Sequence, residues 1–198
     1  MLCTIIYKYR RFTNDMEIKK LAPLDFPPLL HEISDPPKTL FMEGSMPNFD
    51  HKFLSVVGAR KFSSYGREVC EKLIEGLSGY NIVIVSGLAL GIDAIAHRSA
   101  LRAKLKTVAV PGSGLNRNVL YPALNHSLAE KILESGGTLM SEFEPDFRAT
   151  TWSFPKRNRI MAGMSHATLV IEANKKSGTL ITARLATEYN RDVLTVPG

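Results

Sequence analysis

Short apolar runs rich in β-branched residues alternate along the chain with stretches of helical period. The clearest instance is residues 81–97, NIVIVSGLALGIDAIAH. Asn81 to Val85 is too short for a helix, and its unbroken apolar character predicts a strand buried on both faces. Ser86-Gly87 breaks the run, and after Gly91 the spacing of Ile92, Ile95, Ala96 and Ala100 predicts a helix. The same pattern predicts strands at Phe53–Val57, Thr107–Val110, Thr138–Ser141, Ala167–Ile171 and Val193–Val196. Helices are predicted from Tyr65 to Leu77, from Pro122 to Ser135, over SFPKRNRIMAGMS (153–165) and from Ser177 to Tyr189. Ser64 is the expected cap of the Tyr65 helix, and Ser153 or Phe154 that of the 153–165 helix. Strands alternating with helices across short glycine turns predict an α/β fold, a Rossmann-like three-layer sandwich with a mostly parallel sheet, over residues 51–198. Residues 1–50 read as a basic N-terminal arm, poorly ordered over 1–25, and a connector punctuated by Pro23, Pro27, Pro28, Pro36 and Pro37. The connector is expected to hold one helical turn around Leu29–Ile33 and a short edge strand at Thr39–Met42.

Composition changes this picture little. At 198 residues the chain suits one domain with a small appendage. A chain of that size buries about 70% of its unfolded surface and needs no staples. A net charge of +6 leans toward a polyanionic partner, although many basic proteins bind no nucleic acid. Cys3 and Cys70 are too few for a disulfide framework and fit a reducing compartment. The opening MLCTIIYKYRR has too short an apolar core for a signal peptide, and no later run is long enough to span a membrane. A cytoplasmic protein without a membrane partner is the expectation.

Candidate chemistry gathers where such sheets bind ligands, at the carboxyl ends of the strands. Those ends carry Gly58-Ala59-Arg60, Ser86-Gly87, Pro111-Gly112-Ser113-Gly114, Ser141-Glu142 and Glu172 through Thr179, and small residues at four of the five admit a ligand to the backbone. Ser86-Gly87 before a helix start offers free N–H groups to a phosphate, or is simply a tight turn. In Phe154-Pro155-Lys156-Arg157-Asn158-Arg159, three cations crowd the positive end of a helix, which favours a docked anion, with Phe154 placed to stack on a base. The alternative is that these cations pair with Glu142, Glu144 and Asp146. Arg60 and Lys61 follow a strand and glycine, which suits phosphate contact or an internal ion pair. Ser177-Gly178-Thr179 opens a helix after a strand and reads as an anion site or a plain cap. Asp93 and His97, four apart on one helix face, read as an in-helix pair or cap rather than as catalytic groups. No third ligand stands at a convincing spacing, so no metal is expected, nor any other cofactor. No G-x-S-x-G elbow is present.

The runs VGARKFSSYG (57–66), SGLALGIDAIAH (86–97), YPALN (121–125), SEFEPD (141–146), FPKRNRIMAGMS (154–165), EANKKSGTLITARLA (172–186) and RDVLTVPG (191–198) resemble the DNA-processing protein A (DprA/Smf) family, over about residues 24–198. The resemblance implies a protein of DNA uptake and natural transformation that binds single-stranded DNA and loads RecA, and not an enzyme. It implies a DNA pocket from Arg60, Ser86, Gly87, Phe154, Arg157, Asn158, Arg159, Ser177 and Gly178. Ala59 stands where the family has serine or threonine, and Pro111-Gly112-Ser113-Gly114 differs from its usual leucine-glycine-rich loop. On this resemblance the family's N-terminal helical module is expected to be largely absent, and its C-terminal winged helix absent. Relatives continue past Val196-Pro197-Gly198 into a segment associated with dimerisation, so the domain reads as C-terminally shortened and a homodimer stands in question. A second class of function is a nucleotide-hydrolysing enzyme like the lysine-decarboxylase-like phosphoribohydrolases, which carry P-G-G-x-G-T-x-x-E. The matching stretch here is Lys176 to Thr182, and Thr182 replaces the glutamate, which counts against hydrolysis. A sensor of a small nucleotide is the third reading.

Overall fold

The computed structural model describes residues 17–173 and 177–197. Among the described residues eight strands form one sheet: β1 (Lys19–Lys20), β2 (Phe41–Gly44), β3 (Lys52–Val57), β4 (Ile82–Ser86), β5 (Lys106–Ala109), β6 (Thr138–Ser141), β7 (Ala167–Val170) and β8 (Asp192–Thr195). Five α-helices connect them: α1 (Ser64–Glu75), α2 (Ile92–Arg102), α3 (His126–Glu134), α4 (Ser153–Met164) and α5 (Gly178–Glu188). The spatial order is β1-β2-β6-β5-β4-β3-β7-β8, and all neighbours from β6 to β8 run parallel. The expected mostly parallel, three-layer α/β sandwich is therefore the observed fold.

Alternation along the central strands assigns the layers. Leu54 of β3 lies opposite Ile84 of β4 and Ala167 of β7. Val56 and Ile84 face Cys70 and Ile74 of α1 and Ile92, Ile95 and Ala96 of α2. Val57, Val83, Val85 and Val108 face the other way, onto Ile160, Met161 and Met164 of α4. Both faces of the central strands are covered, which is why their sequences are continuous apolar runs.

The connector departs from expectation. The edge strand expected at Thr39–Met42 is β2, which pairs antiparallel with β6 and carries β1 outside it. Lys19–Lys20 thus belongs to the sheet, which corrects the reading of 17–25 as part of a poorly ordered arm; residues 1–16 lie outside the described residues. A 3₁₀ turn at Pro28–His31 stands where a helical turn was expected. It buries Leu30, and Ile33 follows it into the core beside Val57 and Ile160. The physical reason is α4: its Gly163 leaves room for Ile33, whose Cγ2 would lie 2.9 Å from an added Cβ. Without the connector, that face of α4 would meet water.

Most other boundaries move by a residue or two. Two caps shift for stated causes. Ser63, not Ser64, caps α1, accepting from Gly66 N at 3.0 Å, because Glu172 beyond β7 accepts from both the Ser63 N–H and hydroxyl at 3.0 Å. Trp152 holds the cap position of α4, while Ser153 turns its hydroxyl to Gly112 O at 2.6 Å.

The chain lays down β3 to β6 in one direction and then returns to place β7 on the far side of β3. That reversal is the topological switch point, where the loops diverge and leave a crevice at the carboxyl ends.

Candidate nucleic-acid interface

A cleft of about 550 Å³ opens at this switch point. The loop after β3 supplies Gly58 to Lys61, the first turn of α2 supplies Asp93, and the start of α4 supplies Thr151, Phe154, Pro155, Arg157 and Asn158. The start of α5 supplies Ser177, Gly178, Thr179 and Thr182. The amino ends of α4 and α5 share the cleft, so two helix dipoles favour an anion there.

Of the cations expected at the site, Arg60 and Lys61 line the cleft and are exposed. The Arg60 guanidinium lies 5.3 Å from the centre of the Phe154 ring. Phe154 is half-buried, and Tyr121 tilts against it with ring centres 5.6 Å apart. Arg157 also lines the cleft, but it is only 4% exposed. Its Nη1 donates to Gly87 O at 2.6 Å and to Val110 O, and its Nε donates to Asn158 Oδ1 at 3.1 Å. Nη2 has no hydrogen-bond partner among the described residues. Burial pulls the Arg157 guanidinium down to about 10, and Asp93 opposes that fall. Asn158 donates to Gly178 O at 3.2 Å and so ties α4 to the start of α5.

Lys156 and Arg159 lie outside the cleft. Arg159 is buried and donates to Glu142, and its Nη1 donates to Asp35 O at 2.6 Å. Lys156 stands 3.5 Å from the same Glu142 carboxylate. For these two residues the pairing alternative is the arrangement found: helix periodicity turns positions 156 and 159 to the side opposite Arg157's partners.

In the Ser86–Gly91 turn the Ser86 hydroxyl and the Gly87 and Ala89 amides are taken up within the protein. Ser86 is fully buried and donates to Val56 O at 2.7 Å. The Gly87 N–H donates to Asp93 Oδ2 at 3.1 Å, and the Ala89 N–H reaches the same carboxylate. Burial raises the Asp93 carboxyl, with Arg157 pulling it back. Asp93 and His97 therefore do not pair with each other: His97 Nδ1 lies 2.7 Å from Thr107 Oγ1, and burial pushes its imidazole down to about 3.

The glycines tell the same story. A Cβ on Gly87 would meet Arg157 Nη1 at 2.2 Å, and one on Gly112 would meet the Phe154 ring at 2.6 Å. These glycines admit protein side chains, not a ligand. Gly178 is different, with Asn158 Nδ2 its nearest neighbour at 3.9 Å. Beside it the Ser177 hydroxyl is buried and has no partner among the described residues.

Sequence reasoning offered Ser177-Gly178-Thr179 as an anion site but gave Asp93, Thr182 and Tyr121 no place in the DNA pocket. Tyr121 is half-exposed beside Phe154; its position in a loop with no period left no signal. Asp93 could have been found from its place in the first turn of α2, next to the strand ends. Among the described residues no cluster of three His, Cys, Asp or Glu is placed to hold a metal.

The family model described as DNA recombination-mediator protein A matches residues 20–198. Protein Smf of Escherichia coli is 42% identical over 181 residues, covering 90% of this chain and 48% of its own length. The DNA processing protein DprA of Streptococcus pneumoniae is 42% identical over 191 residues, covering 96% of this chain and 65% of its own. The solved structure of the Streptococcus pneumoniae protein superposes with a TM-score of 0.83 at 40% identity, covering 93% of this chain and 65% of that one. DNA processing protein A of Helicobacter pylori, whose structure concerns its unique single-stranded DNA binding mode, also gives 0.83, at 30% identity, covering 93% of this chain and 83% of that one. The molybdenum cofactor binding protein of Rippkaea orientalis, at 16% identity and a TM-score of 0.52 over 73% of this chain and 76% of that one, shares the fold alone. The chain spans 36% to 65% of the length of the curated relatives it matches. With a family match over nearly its whole length, the chain belongs to the DprA/Smf family of DNA-processing proteins.

Proposed function

We propose that this chain binds single-stranded DNA at the switch-point cleft, as a binding module and not an enzyme. The observation that carries the reading is the pairing of Arg60 with Phe154 at the mouth of a cleft whose floor is the amino end of α5. A strand needs both a cation for phosphate and an aromatic face for base, and the two stand 5.3 Å apart. Phosphate is received by Arg60, Lys61 and Arg157 Nη2, with the Gly178 amide and Ser177 hydroxyl as neutral donors. A base lies on Phe154. Asn158 positions the start of α5, while Ser86 and Gly87 act from beneath, by holding the loop through which Arg157 is fixed. The single-stranded DNA binding mode of the Helicobacter pylori relative supports this reading.

The chemistry argues against hydrolysis of a nucleotide. Thr182 lines the cleft where a carboxylate would be required, and the one buried carboxylate there, Asp93, is engaged with backbone amides. A role in natural transformation, RecA loading and a homodimer follow from the family likeness alone. Fluorescence anisotropy with labelled single strands, with free-base release from nucleoside monophosphates as the parallel assay, tests the reading. Binding without turnover supports it; turnover without strand binding overturns it.

A further inference from the structure

The loop after β6 and the start of α4 build an aromatic cluster outside the cleft. Phe143 and Phe147 stack with centres 4.5 Å apart, and Trp152 meets both nearly edge-on, at 5.7 and 5.6 Å. Trp152 is nevertheless 52% exposed, which is uncommon for a side chain so firmly mounted. Lys156 Nζ stands 5.7 Å from both the Phe143 and Trp152 rings. The Lys156 pairing to Glu142 is loose at 3.5 Å, because Arg159 holds the same carboxylate oxygen more closely. A phosphate can therefore compete with Glu142 for Lys156.

We propose that Trp152 and Lys156 form a second stacking position for single-stranded DNA, receiving the strand as it leaves the cleft across the amino end of α4. The inference rests on the reading of the cleft as a single-strand site. Continuity carries it: Thr151 and Pro155, on either side of Trp152 in sequence, both line the cleft. The strand crossing from Phe154 to Trp152 passes the amino end of α4, where the dipole favours its phosphates. The composition of the patch suits this occupant, with an aromatic face beside a cation and Asp146 drawn off to Asn116 at 2.6 Å.

The chain has one tryptophan, so its emission reports on this position alone. The test titrates the unmodified chain with a fluorescein-labelled oligothymidylate of about 15 nucleotides, a length that spans a typical single-strand site, following anisotropy and tryptophan emission together. The expected result is a saturable quench of Trp152 with the same midpoint as the anisotropy change. Trp152→Ala is expected to weaken this oligomer roughly tenfold at both low and high salt, with binding of a dithymidylate, which the cleft alone accommodates, unchanged. Anisotropy that saturates while the tryptophan emission stays constant overturns the proposal. No anisotropy change at all defeats the cleft reading itself, a different outcome. Should Trp152→Ala lower the melting temperature through its lost packing on Phe143 and Phe147, the quench in the unmodified chain decides.

Discussion

Replacing Arg157 with alanine separates the two roles an arginine at this position can have. Its Nη1 donates to two strand-end carbonyls, Gly87 O at 2.6 Å and Val110 O, and its charge faces the buried Asp93 carboxylate. Each carbonyl stripped of a charged partner costs about 1–3 kcal/mol. Leaving Asp93 as an uncompensated buried charge costs about 3–5 kcal/mol where water is excluded. The terms overlap, and water entering through the cleft offsets part of both, so Arg157→Ala is expected to destabilise by about 3 kcal/mol. Arg60→Ala, which removes an exposed side chain, should stay within about 0.5 kcal/mol. Urea unfolding followed by circular dichroism reads both, with the midpoint falling at constant slope for Arg157→Ala. Adding Asp93→Asn to Arg157→Ala removes the buried charge and should restore about 1–2 kcal/mol. If Arg157→Ala is as stable as Arg60→Ala and loses only affinity for DNA, the reasoning fails and Arg157 is a ligand contact alone, with no supporting role.

Phe154→Leu keeps bulk against Gly112 but removes the π face, so single-strand binding should fall by about 1–3 kcal/mol equally at low and high salt, checked by anisotropy. Gly87→Ala drives a methyl into Arg157 and should destabilise much as Arg157→Ala does. Gly178→Ala meets nothing closer than 3.9 Å, so it should melt normally and lose only affinity. His97, pushed down to about 3 from an ordinary 6.5, binds a proton more readily in the unfolded chain. Its contribution is complete above about pH 6.5 and is lost as pH falls toward 3, at up to about 1.4 kcal/mol per unit. Asp93, raised in the folded state, acts with the opposite sign at the acid end. Urea midpoints against pH should therefore fall less steeply in His97→Gln, and more steeply in Asp93→Asn, than in the parent chain.

How much of this was legible in the sequence divides along a physical line. Continuous apolar strands and amphipathic helices are local patterns, and Thr138–Ser141 emerged residue for residue. The convergence of Arg60, Phe154, Arg157 and Ser177-Gly178 was also legible, since strand ends and helix starts in such a fold meet at one edge. The direction of each side chain was not. Arg157, Lys156 and Arg159 are near neighbours in sequence, yet one supports the cleft and two lie on Glu142, because the helical turn separates them by about 100° per residue. Glycine was ambiguous for a related reason. Gly87 and Gly112 are small to admit Arg157 and Phe154, while Gly178 is small beside open space, and composition cannot tell those uses apart. The connector misled because its prolines hid Leu30 and Ile33, whose burial depends on α4, far along the chain.

The central claim is electrostatic and single-strand specific, and one titration tests it most directly. Affinity of the unmodified chain for an oligothymidylate and for a blunt duplex of equal length is measured by anisotropy across a series of salt concentrations. On the proposed reading, Arg60, Lys61 and Arg157, which line the cleft, neutralise two to three phosphates of a bound strand. The slope of log K against log salt should then be about −1.5 to −2 for the single strand, with much weaker binding to the duplex. A slope near zero, or equal affinity for the duplex, would contradict the account.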